Sequence, residues 1–540
     1  MSELSFFDSN AITGEPIFDP EDGSVSGYGD VVSLEARLDE YGVAFALVSH
    51  FRAFYGDPSA ANARLSEELA GRSRLYPCWC LLPGHTSESP SGRELKEQLR
   101  GNDIRAIRLP IGAYNLSLDA WILRDLLAVL EEEHVLTILQ LPTLGVPVPD
   151  RDDLMLRGLR EVLAAHPALR VVSAARLRGL YPLLEAFPNL YVSMEWDPHP
   201  DFVEDLCRRF GAERLLFATP YCENARGNSG MSMLAITHAD VSSDDKSRVA
   251  GGNLKALLGL EPRADDPPAA TMLKPHEQSA LREGRPLPYR IVDIHAHAGP
   301  WSWEYKPAAG LDEMLRVMDR LGVELACVSS TEAVLGGDHL RGNLELAQGI
   351  RRAPERFAGF AVINPHFADQ GRYIDQCVND LGFRGIKIHP RTHRCSLLDS
   401  RYQSVWEASA RYRLPVLSHT GQGQAFSEPS QFRKVAAAYP QGIFILGHSG
   451  ETFAGILQCI ELAREFENIY LDLSGWGFMN RGYLEYLVRR VDPRRVLFGS
   501  DYSWIDLRCA AATVLFAGID EETKRLIFGD NARRILDKVP

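Results

Sequence analysis

Short apolar runs alternate with longer amphipathic stretches along the chain, and this alternation restricts the folds that the chain can adopt. Eight runs of strand length lie between residues 4 and 218, separated by stretches with helical periodicity, and eight more follow from Tyr289. A regular succession of strands and helices is typical of βα units around a parallel sheet. Eight units favour a closed (β/α)8 barrel over an open sheet. The sequence therefore predicts an α/β protein with two TIM-barrel-like (β/α)8 domains in tandem.

The apolar runs define the predicted strands. In the first half they are residues 4–8, 43–49, 75–82, 104–109, 136–140, 169–173, 190–194 and 214–218. In the second half they are residues 291–295, 323–329, 357–363, 384–389, 415–419, 443–448, 469–473 and 495–499.

A stretch with six prolines among charged residues interrupts the alternation between residues 261 and 288. Prolines and charges in this density are typical of a connection between domains. The chain of 540 residues has room for two barrel-sized units. We therefore expect a first domain at residues 1–260, a linker at 261–288 and a second domain at 289–540.

The two halves can also be aligned with each other. The matching segments are residues 8–14 with 293–299, 104–108 with 383–387, 215–219 with 496–500, and 252–253 with 530–531. A chance similarity would not keep its register over a whole barrel, so the chain is interpreted as an internal duplication.

Side chains that can bind a metal distinguish the two halves. Residues i and i+2 of a strand share one face, so His295 and His297 can hold one ion from one side, while Asp293 points into the structure that holds the strand. Further polar side chains end the later strands of the second half: His389, His419, His448 and Asp501. The matching residues of the first half are Asn10, Ile12, Pro110, Gln140, Ala175 and Pro220. These are poor ligands or none at all, so we expect a metal site in the second half and none in the first.

The second half resembles the amidohydrolase superfamily, and within it the branch of TIM-barrel enzymes related to aminocarboxymuconate-semialdehyde decarboxylase. The resemblance depends on five motifs: D-I-H-A-H at residues 293–297, G-I-K-I-H-P at 385–390, V-L-S-H-T at 416–420, L-G-H-S-G at 446–450 and L-F-G-S-D-Y at 497–502. The first half resembles this family in fold only, and we interpret it as a degenerate copy.

The resemblance implies a ligand set. His295, His297, His419 and Asp501 would surround one divalent ion, which is usually zinc, although iron or manganese would fit nearly as well. His448 would lie beside the ion and position or protonate the substrate. No carboxylated lysine bridging two metals is expected.

A metal held in this way lowers the pKa of a bound water to about 7. Asp501 could then take the proton of the water and pass it to a leaving group, and His448 could hydrogen-bond the developing oxyanion. Apolar walls and a cationic anchor for a substrate carboxylate are expected from the nearby loops and strand ends. The candidate substrate-binding residues are His389, Lys387, Arg391, Trp301 and Trp303.

Three functions are compatible with these residues. The first is a metal-dependent hydrolase that acts on an ester, lactone or amide bond of a small carboxylated molecule. The second is a metal-dependent, non-oxidative decarboxylase of a small unsaturated or aromatic acid. The third is a non-catalytic binding protein with an inert metal. For the first half we expect a structural role, in which the two halves form an intramolecular pseudo-dimer; further homo-oligomerisation stays open.

Charge and composition exclude other partners. The net charge is −14, and no run of Lys and Arg is long enough for a basic patch, so nucleic acid is not an expected partner. No stretch reaches the ~18 apolar residues of a membrane span, and the first residues lack an export leader. The nine scattered cysteines are typical of reduced core thiols. We therefore expect a cytoplasmic protein with a small-molecule substrate.

Overall fold

The computed structural model describes residues 4–140, 149–174, 179–195, 199–222, 225–226, 228–261, 272–302 and 305–539. It contains two eight-stranded parallel sheets, each with its strands in chain order. Each sheet closes on itself, because Ser9 N donates to Phe217 O at 3.1 Å and Ile294 N donates to Phe498 O at 3.0 Å. The predicted tandem pair of (β/α)8 barrels is thereby confirmed.

The barrel strands are numbered β1–β16. The first barrel comprises Phe6–Thr13, Val43–His50, Leu75–Cys80, Ala106–Leu109, Leu136–Leu139, Val171–Ala174, Leu190–Ser193 and Leu215–Leu216. The second comprises Ile291–Ala298, Val323–Ser330, Phe357–Val362, Gly385–Ile388, Pro415–His419, Ile443–Gly447, Ile469–Asp472 and Val496–Leu497. Two short antiparallel hairpins join Pro16–Phe18 to Val25–Tyr28 and Tyr221–Cys222 to Ala225–Arg226.

The α-helices are numbered α1–α23. Those before residue 260 are Val31–Tyr41, Pro58–Leu69, Gly92–Gly101, Ala120–Glu132, Pro149–Ala165, Leu180–Ala186, Phe202–Phe210, Ser229–Thr237, Ser243–Ser247 and Asn253–Leu257. Helix α11, Pro275–Glu283, precedes the second barrel. The remaining helices are Leu311–Leu321, Thr331–Leu335, His339–Ile350, Gln370–Asn379, Pro390–His393, Gln403–Tyr412, Phe432–Ala438, Phe453–Glu465, Tyr483–Val488, Leu507–Leu515, Glu521–Arg525 and Asn531–Leu536.

The first strand of each half extends further than predicted. In β1 the pairing register shifts between Asp8 and Ala11, and in β9 it shifts between Asp293 and Ala296. At each shift an Asp carboxylate accepts a hydrogen bond from the backbone N–H two residues later. The bulge lets polar residues continue the strand, whereas the prediction ended each strand near its first polar residues. The last strand of each barrel is instead shorter than predicted.

Buried polar side chains make the same backbone contacts in both barrels, which supports the duplication. Asn62 exchanges hydrogen bonds with the backbone of Cys80, and Asn343 does the same with Val362. Near the end of each half, Asn253 and Asn531 each donate to two backbone carbonyls. A π-helical turn also occurs at matching places, Arg248–Gly252 and Leu526–Asp530.

Matched apolar clusters with a helix near the end of each half pack against one side of each barrel. Phe7 and Phe45 pack with Leu254 of α10 in the first half. Ile294 and Leu325 pack with Ile535 of α23 in the second. Polar residues lie toward the carboxyl ends of the strands, where barrels of this class carry their sites.

The predicted linker contains a packed helix in its described part. Pro275 occupies the first turn of α11, a position that needs no backbone N–H donor. The buried carboxylate of Glu277 accepts from Lys524 Nζ at 3.0 Å and from Tyr289 Oη at 2.5 Å. Residues 272–288 are thus attached to the second barrel by buried polar contacts.

Equivalent helices of the two halves pack against each other. Helix α8 follows the last strand of the first barrel, α21 follows the last strand of the second, and the two are in contact. Beside them the buried Arg508 guanidinium binds Glu204 of the first half at 2.7 Å and Asp506 at 2.6 Å. Contact between matching helices is the arrangement of a two-fold interface.

In the part of the chain that the structure describes, no helix combines the length and the apolar character needed to cross a bilayer.

Candidate metal centre

Three side chains of the second barrel converge at the carboxyl end of its sheet. His295 Nε2 and His297 Nε2 lie 3.2 Å apart. Asp501 Oδ1 lies 3.5 Å from the first of these nitrogens and 3.2 Å from the second. Four tetrahedral ligands at ~2.1 Å from a zinc ion are separated from each other by roughly 3.4 Å. The spacing of the three atoms therefore fits ligands of one divalent ion.

Hydrogen bonds on the far side of each ring direct the ligand nitrogens toward this point. His295 Nδ1 donates to Asp472 Oδ2 at 2.7 Å, and His297 Nδ1 lies 3.0 Å from Ser329 Oγ. With a proton on each Nδ1, the Nε2 atoms present their lone pairs as acceptors, as a metal ligand must. Partners of this kind fix the tautomer of metal-binding histidines.

Burial also keeps the rings in their ligand form. Desolvation lowers the pKa of His295 and of His297 well below 6.5, and the nearby Lys387 cation lowers both further. Both imidazoles are thus neutral at pH 7, and neutral imidazole is the form that binds metals.

Lys387 lies directly beside the candidate ligand His295. Its Nζ is 2.5 Å from His295 Nε2, and the side chain is only 1% exposed. Burial lowers the pKa of this amine to about 8. A divalent ion at His295 would favour the neutral amine further, since two cations would otherwise adjoin.

His419 and His448 belong to an adjoining group. Together with Glu451 they place possible ligand atoms within 4.8 Å of one another, and His448 also forms such a group with His295 and Asp472. The ring centroids of His419 and His448 lie 4.9 Å apart. The structure therefore brings His295, His297 and Asp501 together directly, and places His419 in the neighbouring group.

His389 and His419 are stacked, with ring centroids 4.1 Å apart and an angle of 13° between the planes. Burial lowers the pKa of His419 to about 3 and that of His389 well below 6.5. The stacked pair is neutral and lines the cavity beside the centre.

Sequence reasoning missed Asp472 and Glu451. Asp472 ends β15 and is hydrogen-bonded to both His295 and His448. Its carboxylate accepts a hydrogen bond from the backbone N–H of His448 at 3.1 Å. Glu451 follows His448 by three residues, and burial raises the pKa of its carboxyl to about 7. A comparison of the halves that included carboxylates would have marked Asp472, because Ser193 ends the matching strand.

Left-handed backbone accompanies the site residues. The φ angle is 63° at His448, 42° at Ser449, 62° at Glu451 and 60° at Asp501. Such conformations cost non-glycine residues of order 1–3 kcal/mol each and cluster at functional sites. The surrounding structure thus holds these side chains in place at the expense of backbone strain.

The remaining candidate residues that the structure describes lie around the cavity. Arg391 is exposed in the short helix α16 after β12, and it lines the cavity. The Trp301 ring packs edge-on against His297 with centroids 5.6 Å apart, and its Nε1 donates to Ser503 Oγ at 3.0 Å. Trp303 lies outside the described residues.

The first barrel carries an ion pair in the corresponding region. Arg108 has the strand position of Lys387, and Glu195 that of Ser474. Arg108 Nη1 donates to Glu195 Oε2 at 3.0 Å, and both residues are buried. Within the described residues, the groups able to hold a metal all lie in the second half.

One cavity of about 1670 Å³ adjoins the metal centre. His297, His419, His448 and Asp501 line one part of it. Residues of the first half line another part, among them Ile17 and Arg37. Residues from both halves therefore enclose the space in front of the centre.

Comparison with known proteins gives a family for the second barrel. The model of the amidohydrolase family matches residues 292–538. The second barrel is therefore an amidohydrolase-family domain, as its motifs predicted. No curated protein matches the chain.

Several solved structures resemble one barrel of the chain. The 5-carboxyvanillate decarboxylase of Sphingomonas paucimobilis has 18% identity and a TM-score of 0.38. The 2,6-dihydroxybenzoate decarboxylase of Rhizobium has 19% identity and a TM-score of 0.40. Each match covers 46% of this chain and 99% of the other. A dihydroxybenzoic acid decarboxylase of Polaromonas with bound manganese has 20% identity and a TM-score of 0.38, covering 46% of this chain and 97% of the other.

Proposed function

We propose that the second barrel is a metal-dependent hydrolase that cleaves an ester, lactone or amide bond of a small carboxylated molecule. The observation that carries this proposal is the convergence of His295 Nε2, His297 Nε2 and Asp501 Oδ1 beside a cavity. Both imidazoles have their other nitrogen occupied by a hydrogen bond, so the cluster is oriented toward a cation.

The proposed ligands are His295, His297, His419 and Asp501, and the proposed ion is one zinc per chain. When bound, such an ion supplies a Lewis acid that polarises a carbonyl and makes a neighbouring water more acidic. Iron or manganese would suit the same nitrogen and oxygen donors.

Asp501 is the proposed proton carrier. Its carboxylate adjoins both imidazoles and lines the cavity, so it can accept the proton of an attacking water. The water oxygen forms a bond to the substrate carbonyl carbon. As the carbon–leaving-group bond breaks, Asp501 returns the proton to the departing oxygen or nitrogen.

His448 is better placed to accept a proton than to donate one. Ser474 Oγ donates to Asp472 Oδ2, so the His448 Nδ1 at 3.0 Å donates to the serine oxygen and Nε2 is left as an acceptor. Burial lowers the pKa of this ring well below 6.5. Its proposed role therefore differs from the oxyanion donor suggested by the sequence, and Lys387 Nζ is the donor beside the cluster.

Arg391 is the proposed anchor for the substrate carboxylate. Its charge acts on His419 and Glu451, so the guanidinium lies near the reacting end of the cavity. A guanidinium binds a carboxylate through two parallel hydrogen bonds. His389 and Trp301 are proposed as flanking contacts.

Non-oxidative decarboxylation is the second candidate. Glu451 Oε1 lies 3.5 Å from His419 Nε2 and lines the cavity, which gives the site a second carboxyl group besides Asp501. A decarboxylase needs an acid that protonates the carbon from which CO2 departs. Oxygen-18 from water appears in the product of a hydrolase, whereas a decarboxylase releases CO2 without that incorporation.

For the first half we propose a supporting role, in which it takes the place of a partner subunit. The contact of α8 with α21 supports this proposal because it joins matching elements of the two halves. The ion pair of Arg508 with Glu204 is a second contact between the halves.

Metal analysis of the full-length protein tests the proposed function. Wild-type protein is expected to hold one divalent ion per chain and to turn over members of a panel of esters, lactones and carboxylates. The variants His295→Ala and His297→Ala are expected to lose both. Asn10→Ala, at the position of His295 in the first half, is the matched control and should lose neither. Turnover that survives both histidine variants would contradict the proposal, and a bound metal without turnover would indicate a binding protein.

A further inference from the structure

A hairpin of the first half reaches the metal-binding half. After β1 the chain forms an antiparallel pair, Pro16–Phe18 with Val25–Tyr28, before it enters α1. This part of the first half spans residues 14–30, whereas residues 299–310 make the equivalent connection in the second. The hairpin is thus an enlargement of one copy of the repeat.

An aromatic anchor attaches the hairpin to the second half. The Phe18 ring lies 5.2 Å from Phe453, 4.8 Å from Tyr483 and 6.1 Å from Tyr486, measured between centroids. At the turn, Glu21 forms an ion pair with Arg489. A two-stranded ribbon alone is marginally stable, so these contacts determine where the hairpin lies.

The anchor belongs to segments that also carry site residues. Phe453 begins α19, two residues after Glu451, and the hairpin packs on it. Gly23 approaches so closely that an added Cβ would lie 2.6 Å from the Tyr486 ring and 2.9 Å from the Phe453 ring. The position of the hairpin relative to the metal centre is therefore set by close packing.

Two apolar side chains of the hairpin are exposed and can contact a ligand. Ile17 is 41% exposed and Val25 is 61% exposed, although both line the cavity that adjoins the metal centre. Arg391 lines the same cavity with a charged side chain. The cavity thus has a cationic part and an apolar part, and the apolar part comes from the other half of the chain.

We propose that this hairpin is a specificity element, and that the substrate is an amphipathic carboxylate whose apolar alkyl or aryl part rests on Ile17 and Val25. The proposal rests on the proposed function, since the charged end is assigned to Arg391 and the metal centre. The volume of about 1670 Å³ exceeds the 300–1,000 Å³ of ordinary small-molecule pockets, so an extended ligand has room.

Binding of straight-chain monocarboxylates, from acetate to octanoate, to the zinc-loaded full-length protein tests this assignment. Calorimetry should show that affinity rises by roughly two- to fourfold per methylene once the chain reaches the hairpin. Ile17→Ala and Val25→Ala should weaken octanoate binding by roughly three- to tenfold and leave acetate binding unchanged. Val32→Ala removes a side chain of similar exposure, 60%, that does not line the cavity, and it should change neither.

The outcomes separate the two proposals. Equal octanoate affinity in wild type, Ile17→Ala and Val25→Ala would overturn the hairpin assignment while the carboxylate site stands. The same conclusion follows if wild-type affinity does not depend on chain length. Failure of every carboxylate, including acetate, to bind would instead refute the charged end and with it the proposed function.

Discussion

Replacing Asp472 by Asn tests whether the buried carboxylate behind His295 controls metal affinity. Oδ2 of Asp472 accepts from His295 Nδ1 at 2.7 Å, and Oδ1 accepts from Ser474 N at 3.1 Å. An asparagine has one oxygen and one NH2 group in these two places. Either orientation of the amide therefore opposes its NH2 group to a backbone N–H, that of Ser474 or that of His448. The orientation that keeps the oxygen toward Ser474 N also opposes NH2 to His295 Nδ1 and turns the proton of that ring onto Nε2, the proposed ligand atom.

The size of the effect follows from the bond that is lost. A hydrogen bond to a charged group is worth about 1.5–3 kcal/mol. At about 1.4 kcal/mol per factor of ten, zinc affinity should fall by roughly 10- to 100-fold. Loss of the supporting partner of a metal-binding histidine has effects of this order in other sites.

The assay is a zinc titration of metal-free protein against a chromophoric chelator, with thermal unfolding of the same samples as a check on the fold. Ser193→Ala is the matched control, because Ser193 ends the corresponding strand of the first barrel. It should leave zinc affinity unchanged. If Asp472→Asn binds zinc within about threefold of wild type while both proteins unfold alike, the carboxylate does not orient the ligand and the reasoning fails.

Three further predictions concern stability and the metal. Arg508→Met leaves Glu204 and Asp506 without the buried guanidinium, so the free energy of unfolding in urea should fall by about 3–5 kcal/mol. A fall below about 1 kcal/mol would show that this guanidinium does not stabilise the contact between the halves. Removal of metal by a chelator should abolish turnover and leave the far-UV circular dichroism unchanged, since matched apolar clusters hold both barrels; a chelator that unfolds the protein would refute this. Burial lowers the pKa of His238 to about 4, so protonation favours the unfolded chain, whose histidine titrates near 6.5. The contribution of His238 to stability should be complete above pH 6.5 and fall by roughly 3 kcal/mol as pH drops to 4, and His238→Gln should reduce the total fall seen in pH-dependent urea unfolding by about that amount.

The fold was predictable because its signal is periodic. Each strand of a parallel barrel is buried, so it reads as an apolar run, and the helices between them show a different period. The first strands were predicted too short for a physical reason. A bulge after Asp8 and after Asp293 lets polar residues stay within the strand, and an apolar run cannot reveal this.

The candidate site was predictable at positions where the two halves carry different residue types. His295 and His297 stand out because Asn10 and Ile12 occupy the same positions, so the difference in candidate ligands between the halves is visible in one sequence. Glu451 was not predictable in this way, since its position depends on left-handed backbone from His448 onward. The pairing of Arg108 with Glu195 was also hidden, because it requires two strands far apart in sequence to face each other across a closed barrel.

Fusion of the two barrels has a consequence for their evolution. In an assembly of identical chains, every substitution occurs twice, once on each side of the two-fold axis. Helices α8 and α21 keep the contact of such an axis, yet each is encoded separately. A mutation in one barrel is therefore not copied to the other. The first barrel can lose candidate ligands and enlarge a loop while selection acts on the second barrel separately.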